Sequence, residues 1–231
     1  MKITKLLLLA SGAFLLSGCN TSNPSIPSIP PVDFNFGQYS VETVNELLGQ
    51  LQSDKGYEIV IQGENIPNVE IPEVKYTAKT TIGSKGNYIW EYHEINGGEK
   101  GGYALYNGPD GAMPYFYQSG AWHKGVESAI TKEMAEQAIQ EQYQALYPDQ
   151  KYIEDIKNAG EKIGKSVVAG RDCAVFEFNS DYHVTLKMDK IFGIIMSMEV
   201  VTTNVETLIT SQVNVAVTSF QLFSEVPDFP Q

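Results

Sequence analysis

Residues 74–95 read VKYTAKTTIGSKGNYIWEYHEI, and this stretch decides the fold class because it joins two strand-like runs through a short turn. Residues 74–82 and 87–95 are rich in β-branched and aromatic residues, which favour extended backbone. Residues 83–86 between them include two glycines, which are typical of a tight turn. Consecutive strands joined by so short a connection pair antiparallel, so this stretch predicts an antiparallel sheet.

Strand-like runs recur on both sides of this hairpin and are separated by turn residues such as Pro109-Asp110-Gly111. In the C-terminal run, Val213, Val215 and Val217 alternate with residues that point to the other face of a strand. The further predicted strands are residues 57–63, 103–107, 115–118, 165–169, 172–179, 182–188, 194–202 and 206–223.

Two helices are predicted beside these strands. The first covers residues 40–53, begins at Ser40 as N-cap and ends at Lys55-Gly56. The second covers residues 131–146, begins at Thr131 and is stopped by Pro148. One long antiparallel sheet with two helices predicts an α+β fold.

Composition bounds the class of protein. The 231 residues are 42% hydrophobic and 11% aromatic, which indicates a folded chain of one domain plus a tether. The formal net charge is −12, so we expect no nucleic-acid partner and no electrostatic attraction to an anionic membrane face.

The N-terminus has the layout of a secretory signal peptide. Lys2 and Lys5 precede an apolar run, residues 6–16, which is too short to cross a bilayer. The closing residues 16–19, LSGC, resemble a bacterial lipobox, which implies cleavage after residue 18 and a diacylglycerol on Cys19. Several acyl chains, palmitate among them, would anchor the protein to a membrane. The alternative is an ordinary signal peptide that ends in cysteine.

Residues 19–38 are rich in serine and proline and predict an extended tether, which leaves residues 39–231 as the folded domain. Asn20 stands where an aspartate would retain a lipoprotein at the inner membrane of a diderm host. We therefore expect the outer membrane in a diderm host and the outer face of the cell membrane in a monoderm host.

Three segments together resemble the outer-membrane lipoprotein carrier superfamily, the LolA/LolB-like half-barrels. They are residues 85–92 (KGNYIWEY), residues 168–176 (VAGRDCAVF) with 188–194 (MDKIFGI), and residues 217–220 (VTSF) with 226–230 (VPDFP). The resemblance implies a strongly curved antiparallel sheet, with an N-terminal helix and one or two helices packed on its concave side. The chain departs from the pattern at Trp90, where many relatives carry a basic residue, and it has no recognisable lid segment.

Such a half-barrel would offer a concave apolar face that accepts a lipid or the acyl chain of a lipoprotein without catalytic residues or a cofactor. Each candidate lining residue has the alternative of being an ordinary core residue. A second hypothesis is an envelope protein-protein interaction or sensor module with no small ligand, which a filled concavity would favour. The candidate ligand-binding residues are Ile59, Ile61, Tyr88, Trp90, Tyr92, Tyr115 and Tyr117.

The sequence gives little support for catalysis or metal binding. It contains no Gly-x-Ser-x-Gly motif. His93 with Glu91 is the most metal-like pair, and His183, with Asp181 on its own strand face, could join it, but the spacings lack a metal-site signature. Solvated strand positions are the alternative for these residues. Cys173 lies in an apolar run and is predicted to be a buried small hydrophobic residue, with a catalytic cysteine as the alternative. A hydrolase would require His93 or Cys173 to lie in a pocket beside a second catalytic group.

Overall fold

The computed structural model describes residues 33–67, 74–125, 130–159, 165–179, 182–203, 210–222 and 224–230. Cys19, Asp181 and residues 206–209 of the predicted last strand lie outside these ranges. The strands of the described part are β1 (Tyr57–Pro67), β2 (Lys75–Lys85), β3 (Tyr88–Ile95), β4 (Gly101–Gly108), β5 (Gly111–Gln118), β6 (Ala121–Lys124), β7 (Lys165–Val168), β8 (Arg171–Asn179), β9 (His183–Asp189), β10 (Ile195–Thr203) and β11 (Thr210–Leu222).

These described strands form one antiparallel sheet in the order β6-β5-β4-β3-β2-β1-β11-β10-β9-β8-β7. Strands β1 to β6 pair in sequence order, as do strands β7 to β11, and β1 pairs with β11 at the centre. Because β6 and β7 end the sheet without pairing to each other, it is curved but not closed. The predicted α+β half-barrel is confirmed.

The helices are α1 (Val41–Asp54), α2 (Lys132–Tyr143) and α3 (Gln150–Ala159). The backbone amide of Thr43 donates to Ser40 Oγ over 3.1 Å, and that of Met134 donates to Thr131 Oγ1 over 3.2 Å. Both capping predictions are therefore correct, because each side chain satisfies an amide that the first helical turn leaves unpaired. Helix α3 and strand β6 were not predicted from the sequence.

The main core lies between the helices and one face of the sheet, which we call the helix face. Alternate residues of β1 point into this core, and Tyr57, Ile59 and Ile61 are at most 6% exposed. Val44 and Leu48 of α1 lie opposite them in the same core cluster. From the other half of the sheet and from α3 and its flanks, the core receives Leu146, Tyr152, Ile153, Ile156, Phe176, Phe178, Val184, Leu186 and Met188.

The folded domain begins earlier than the sequence predicted. Phe34 is 8% exposed, and its backbone amide donates to the carbonyl of Lys190. The Phe34 ring lies 5.5 Å from that of Tyr39, and Phe36 packs against Phe176 at 5.2 Å. The predicted boundary after residue 38 is therefore too late, because these aromatic rings add apolar area to the core although they follow a proline-rich run.

A buried ion pair fixes the turn between β9 and β10. Asp189 is 1% exposed in its side chain and accepts from Nε and Nη2 of Arg171, the latter over 3.2 Å. It also accepts from the backbone amides of Ile191 and Phe192, over 2.8 and 2.7 Å. One carboxylate thus ties the start of β8 to the turn that leads into β10.

Candidate functional site

The structure divides the seven predicted ligand-binding residues between the two faces of the sheet. Residues paired across antiparallel strands point to the same face, and the register joins Ile59 to Ile82 and Gly83 to Trp90. Ile59 and Ile61 lie on the helix face and are core residues. The other five lie on the opposite face: Tyr88, Trp90, Tyr92, Tyr115 and Tyr117. The prediction of one common lining surface is therefore wrong, because it did not count the strand register.

The opposite face of β3–β6 carries a dense set of rings, which we call the aromatic face. Tyr88 lies 4.7 Å from Tyr106, and Tyr92 lies 4.9 Å from Tyr117, measured between ring centroids. Ala104 and Gly102 on β4 pair with large residues of both neighbouring strands and so leave room for their rings. The aromatic face consists of Tyr88, Trp90, Tyr92, Tyr106, Tyr115, Tyr117 and Trp122.

Trp90 belongs to this face but has no exposed surface. Its indole covers Gly83 on β2, where a Cβ atom would lie only 2.0 Å from the ring. Trp90 therefore fills space between the sheet and the outer rings and does not line an open surface.

The C-terminal residues 224–230 cross the aromatic face. The Phe229 ring is parallel to that of Tyr88 at 5.1 Å, with an interplanar angle of 1°. It also lies 4.9 Å from the rings of Tyr115 and Trp122. Tyr88 and Tyr115 are thus in contact with the chain's own C-terminal segment. The position of this segment on the sheet was not predicted from the sequence.

A cleft of about 550 Å³ opens beside the Phe229 ring, and we call it the aromatic cleft. Tyr92 and Tyr117 are the predicted site residues that line it. Trp122 was not predicted, because its strand, β6, has only four residues and was missed. The lining consists of Tyr92, Tyr117, Gly120, Ala121, Trp122, Pro227, Asp228 and Pro230.

Polar groups at the aromatic cleft are arranged around Tyr92. Trp122 Nε1 donates to the Tyr92 hydroxyl over 3.0 Å, and Lys100 Nζ lies 3.7 Å from the centre of the Tyr92 ring. Partial burial raises the pKa of Tyr92 and lowers the pKa of Lys100. The cleft is therefore lined by three aromatic rings and by Asp228, and a cation lies above the ring of Tyr92.

The predicted Glu91–His93 pair exists, but it lies on the helix face. His93 Nδ1 is 3.2 Å from Glu91 Oε2, and the Glu91 side chain is 1% exposed. Desolvation raises the pKa of Glu91, and the hydrogen bond to Glu91 raises the pKa of His93. No group of three or more His, Cys, Asp or Glu side chains suited to a metal ion occurs in the described ranges.

This pair gives a prediction for the pH dependence of stability. Both pKa values are raised in the folded protein, so the folded state holds more protons than the unfolded state between the ordinary and the raised values. The free energy of unfolding should therefore fall as the pH rises above the ordinary pKa values of these groups, about 4.3 for Glu and about 6.5 for His. Urea denaturation should give a smaller fall for Glu91→Gln than for the wild type. An identical slope in both proteins would contradict this assignment.

The two groups that a hydrolase would require lie apart from the aromatic cleft. Cys173 is fully buried, its thiol donates to the Arg171 carbonyl over 3.4 Å, and burial raises its pKa to about 11. The thiol is therefore protonated near neutral pH, as the prediction of a buried small residue implies. Neither Cys173 nor His93 lines the aromatic cleft.

A smaller cleft of about 220 Å³ lies at the start of the described residues, between residues 33–38 and α1.

The longest helix of the described ranges, α1, has 14 residues, and no helix within those ranges is long and apolar enough to cross a bilayer.

Comparison with known proteins gives a distant likeness in fold. No protein-family model matches the chain, and no curated protein matches it. MucB in complex with MucA(peri) is similar over 78% of this chain, which spans 54% of that chain, with 11% identity and a TM-score of 0.31. A DUF1329 family protein from Desulfovibrio piger is similar over 79% of this chain and 92% of its own, with 12% identity and a TM-score of 0.24. A putative outer membrane lipoprotein-sorting protein domain from Vibrio parahaemolyticus has 9% identity and a TM-score of 0.19, over 81% and 94%.

Proposed function

We propose that this protein is a lipid-anchored protein of the bacterial cell envelope, and that its half-barrel is a non-catalytic module that binds an apolar segment of a partner protein. The aromatic cleft is the proposed binding site. We propose a relationship to the lipoprotein carriers, which is supported by the sequence segments that resemble them. We also propose anchoring through Cys19, at the outer membrane in a diderm host or at the outer face of the cell membrane in a monoderm host.

The observation that supports this function is the contrast between the two faces of the sheet. The helix face is filled, since α1, α2 and α3 cover its apolar residues. The aromatic face keeps an open cleft walled by Tyr92, Tyr117 and Trp122. Aromatic rings in an open groove are typical of surfaces that bind extended protein segments. An acyl chain is the second candidate ligand, because the same wall is apolar enough to bury methylene groups.

The anchor gives a prediction about location. Cys19→Ser removes the sulfur that would carry diacylglycerol, so the protein should move from the membrane fraction to the soluble fraction. Fractionation of the envelope followed by immunoblotting measures this change. Unchanged membrane retention of Cys19→Ser would reject the anchor.

Site-specific photo-cross-linking in the intact envelope tests the binding site. A photoreactive side chain at Ala121, which is exposed beside the cleft, should give an adduct that mass spectrometry identifies as protein or lipid. Met134 on α2, which is 47% exposed and outside the cleft, is the matched control. A protein adduct at position 121 supports the proposal, and a lipid adduct replaces it with the acyl-chain hypothesis. No adduct above the control at position 134 rejects the site.

A further inference from the structure

We infer that the partner segment is an extended stretch with an aromatic residue flanked by prolines, and that the C-terminal segment of this chain competes for the same surface. This inference rests on the proposed function and names both the ligand class and its regulation. The supporting contacts are those of Phe229 and its neighbours with the aromatic face.

The aromatic face accepts an aromatic ring from the C-terminal segment. Phe229 is surrounded by Tyr88, Tyr115 and Trp122, with centroid distances between 4.9 and 5.1 Å. Pro227 and Pro230 flank it and line the adjoining cleft. Proline limits the chain to extended conformations and reduces the entropy lost on binding, so a proline-flanked ring suits such a surface. The C-terminal segment is thus an example of the ligand chemistry.

The C-terminal segment is held mainly by contacts between rings. Lys85 Nζ donates to the Ser224 carbonyl over 2.7 Å at the start of the segment. Beyond that point, no backbone hydrogen bond joins residues 225–230 to the sheet among the described residues. Ring contacts therefore provide most of the attachment, and Phe229 itself is only half-buried. A segment held in this way can leave without breaking the strand pairing of the half-barrel.

Open space lies beside the C-terminal segment. The aromatic cleft continues from Pro227 and Pro230 towards Tyr92, Tyr117 and the edge strand β6. A partner segment longer than the C-terminal segment could occupy the cleft and the Phe229 position together. Because the C-terminal segment is part of the same molecule, its effective concentration is in the millimolar range, and it lowers the apparent affinity for a partner.

The experiment measures binding of a fluorescent peptide to the full anchored chain in lipid nanodiscs by anisotropy. The probe is the sequence of residues 224–231, SEVPDFPQ, and the control probe carries Phe229→Ala. Phe229→Ala in the protein should bind the first probe at least tenfold more tightly than the wild type, and neither protein should bind the control probe. Glu225→Ala, an exposed change in the same segment, should match the wild type.

A second variant, Lys85→Ala, removes the contact with Ser224 and leaves every ring in place. A probe of residues 225–231, which lacks Ser224, should therefore bind this variant more tightly than the wild type. Equal affinities of wild type, Phe229→Ala and Lys85→Ala, with unchanged thermal unfolding, would overturn the inference. A wild-type dimer that is lost in Phe229→Ala would also overturn it, because the occupant would then be a second copy. If the cross-link at position 121 persists while the peptide fails to bind, the proposed function stands and only this inference falls.

Discussion

Asp189→Ala should lower the free energy of unfolding by about 3–5 kcal/mol, among the largest effects of any single substitution in this protein. The change leaves the Arg171 guanidinium, which is 15% exposed, without its carboxylate. It also removes the acceptor for the amides of Ile191 and Phe192. A mostly buried charge and two part-buried donors that lose their partner are each costly, since water replaces the lost contacts only in part.

Urea denaturation followed by circular dichroism measures this loss, and two controls separate its causes. Asp189→Asn keeps an acceptor for the turn but removes the charge, so its loss should lie between those of the wild type and Asp189→Ala. Glu136→Ala breaks the exposed pair with Lys132, in which both side chains are nearly half exposed, and should cost about 0.5 kcal/mol or less. A loss below 1 kcal/mol for Asp189→Ala would mean that the ion pair does not hold this turn.

Gly83→Ala is expected to cost about 3 kcal/mol, at the upper end of the range for overpacked cores. The added Cβ would lie 2.0 Å from the Trp90 indole, and Trp90 is fully buried and has no free space to move into. Gly49→Ala is the matched control, because a Cβ at that position in α1 meets nothing within 4 Å. It should instead stabilise the protein by about 0.5–1 kcal/mol, since alanine favours helix more than glycine does.

The cause of the Gly83 effect can be tested with a double-mutant cycle. Trp90→Phe makes room above Gly83, so Gly83→Ala should cost less in that background than in the wild type. Equal costs of Gly83→Ala in both backgrounds would contradict a clash with Trp90.

The elements were predictable from sequence where the local signal was strong. Ser40 and Thr131 begin helices because their hydroxyl groups accept a backbone hydrogen bond, and this preference is local. β6 was missed because it has only four residues, and α3, which begins just after Pro148, was not predicted. Phe34 was not predicted to belong to the folded domain, because its place in the core depends on a contact with Lys190, which is far away in sequence.

The candidate site was less predictable than the fold. Of the predicted ligand-binding residues, Tyr92 and Tyr117 line the aromatic cleft, whereas Ile59 and Trp90 are buried on different faces of the sheet. Period-two alternation tells which residues of one strand share a face, and the pairing register is needed to relate one strand to the next. The position of Phe229 depends on contacts with strands more than a hundred residues earlier, which no local pattern carries.

The pairing of β1 with β11 makes the order of synthesis matter for this protein. Tyr57 lies opposite Leu222, about 165 residues later, so the two halves of the sheet remain separate until β11 arrives. Closing so long a loop is entropically costly and slow. The half-barrel is therefore completed only after the last strand of the sheet has been synthesised, and the earlier strands must stay unaggregated until then.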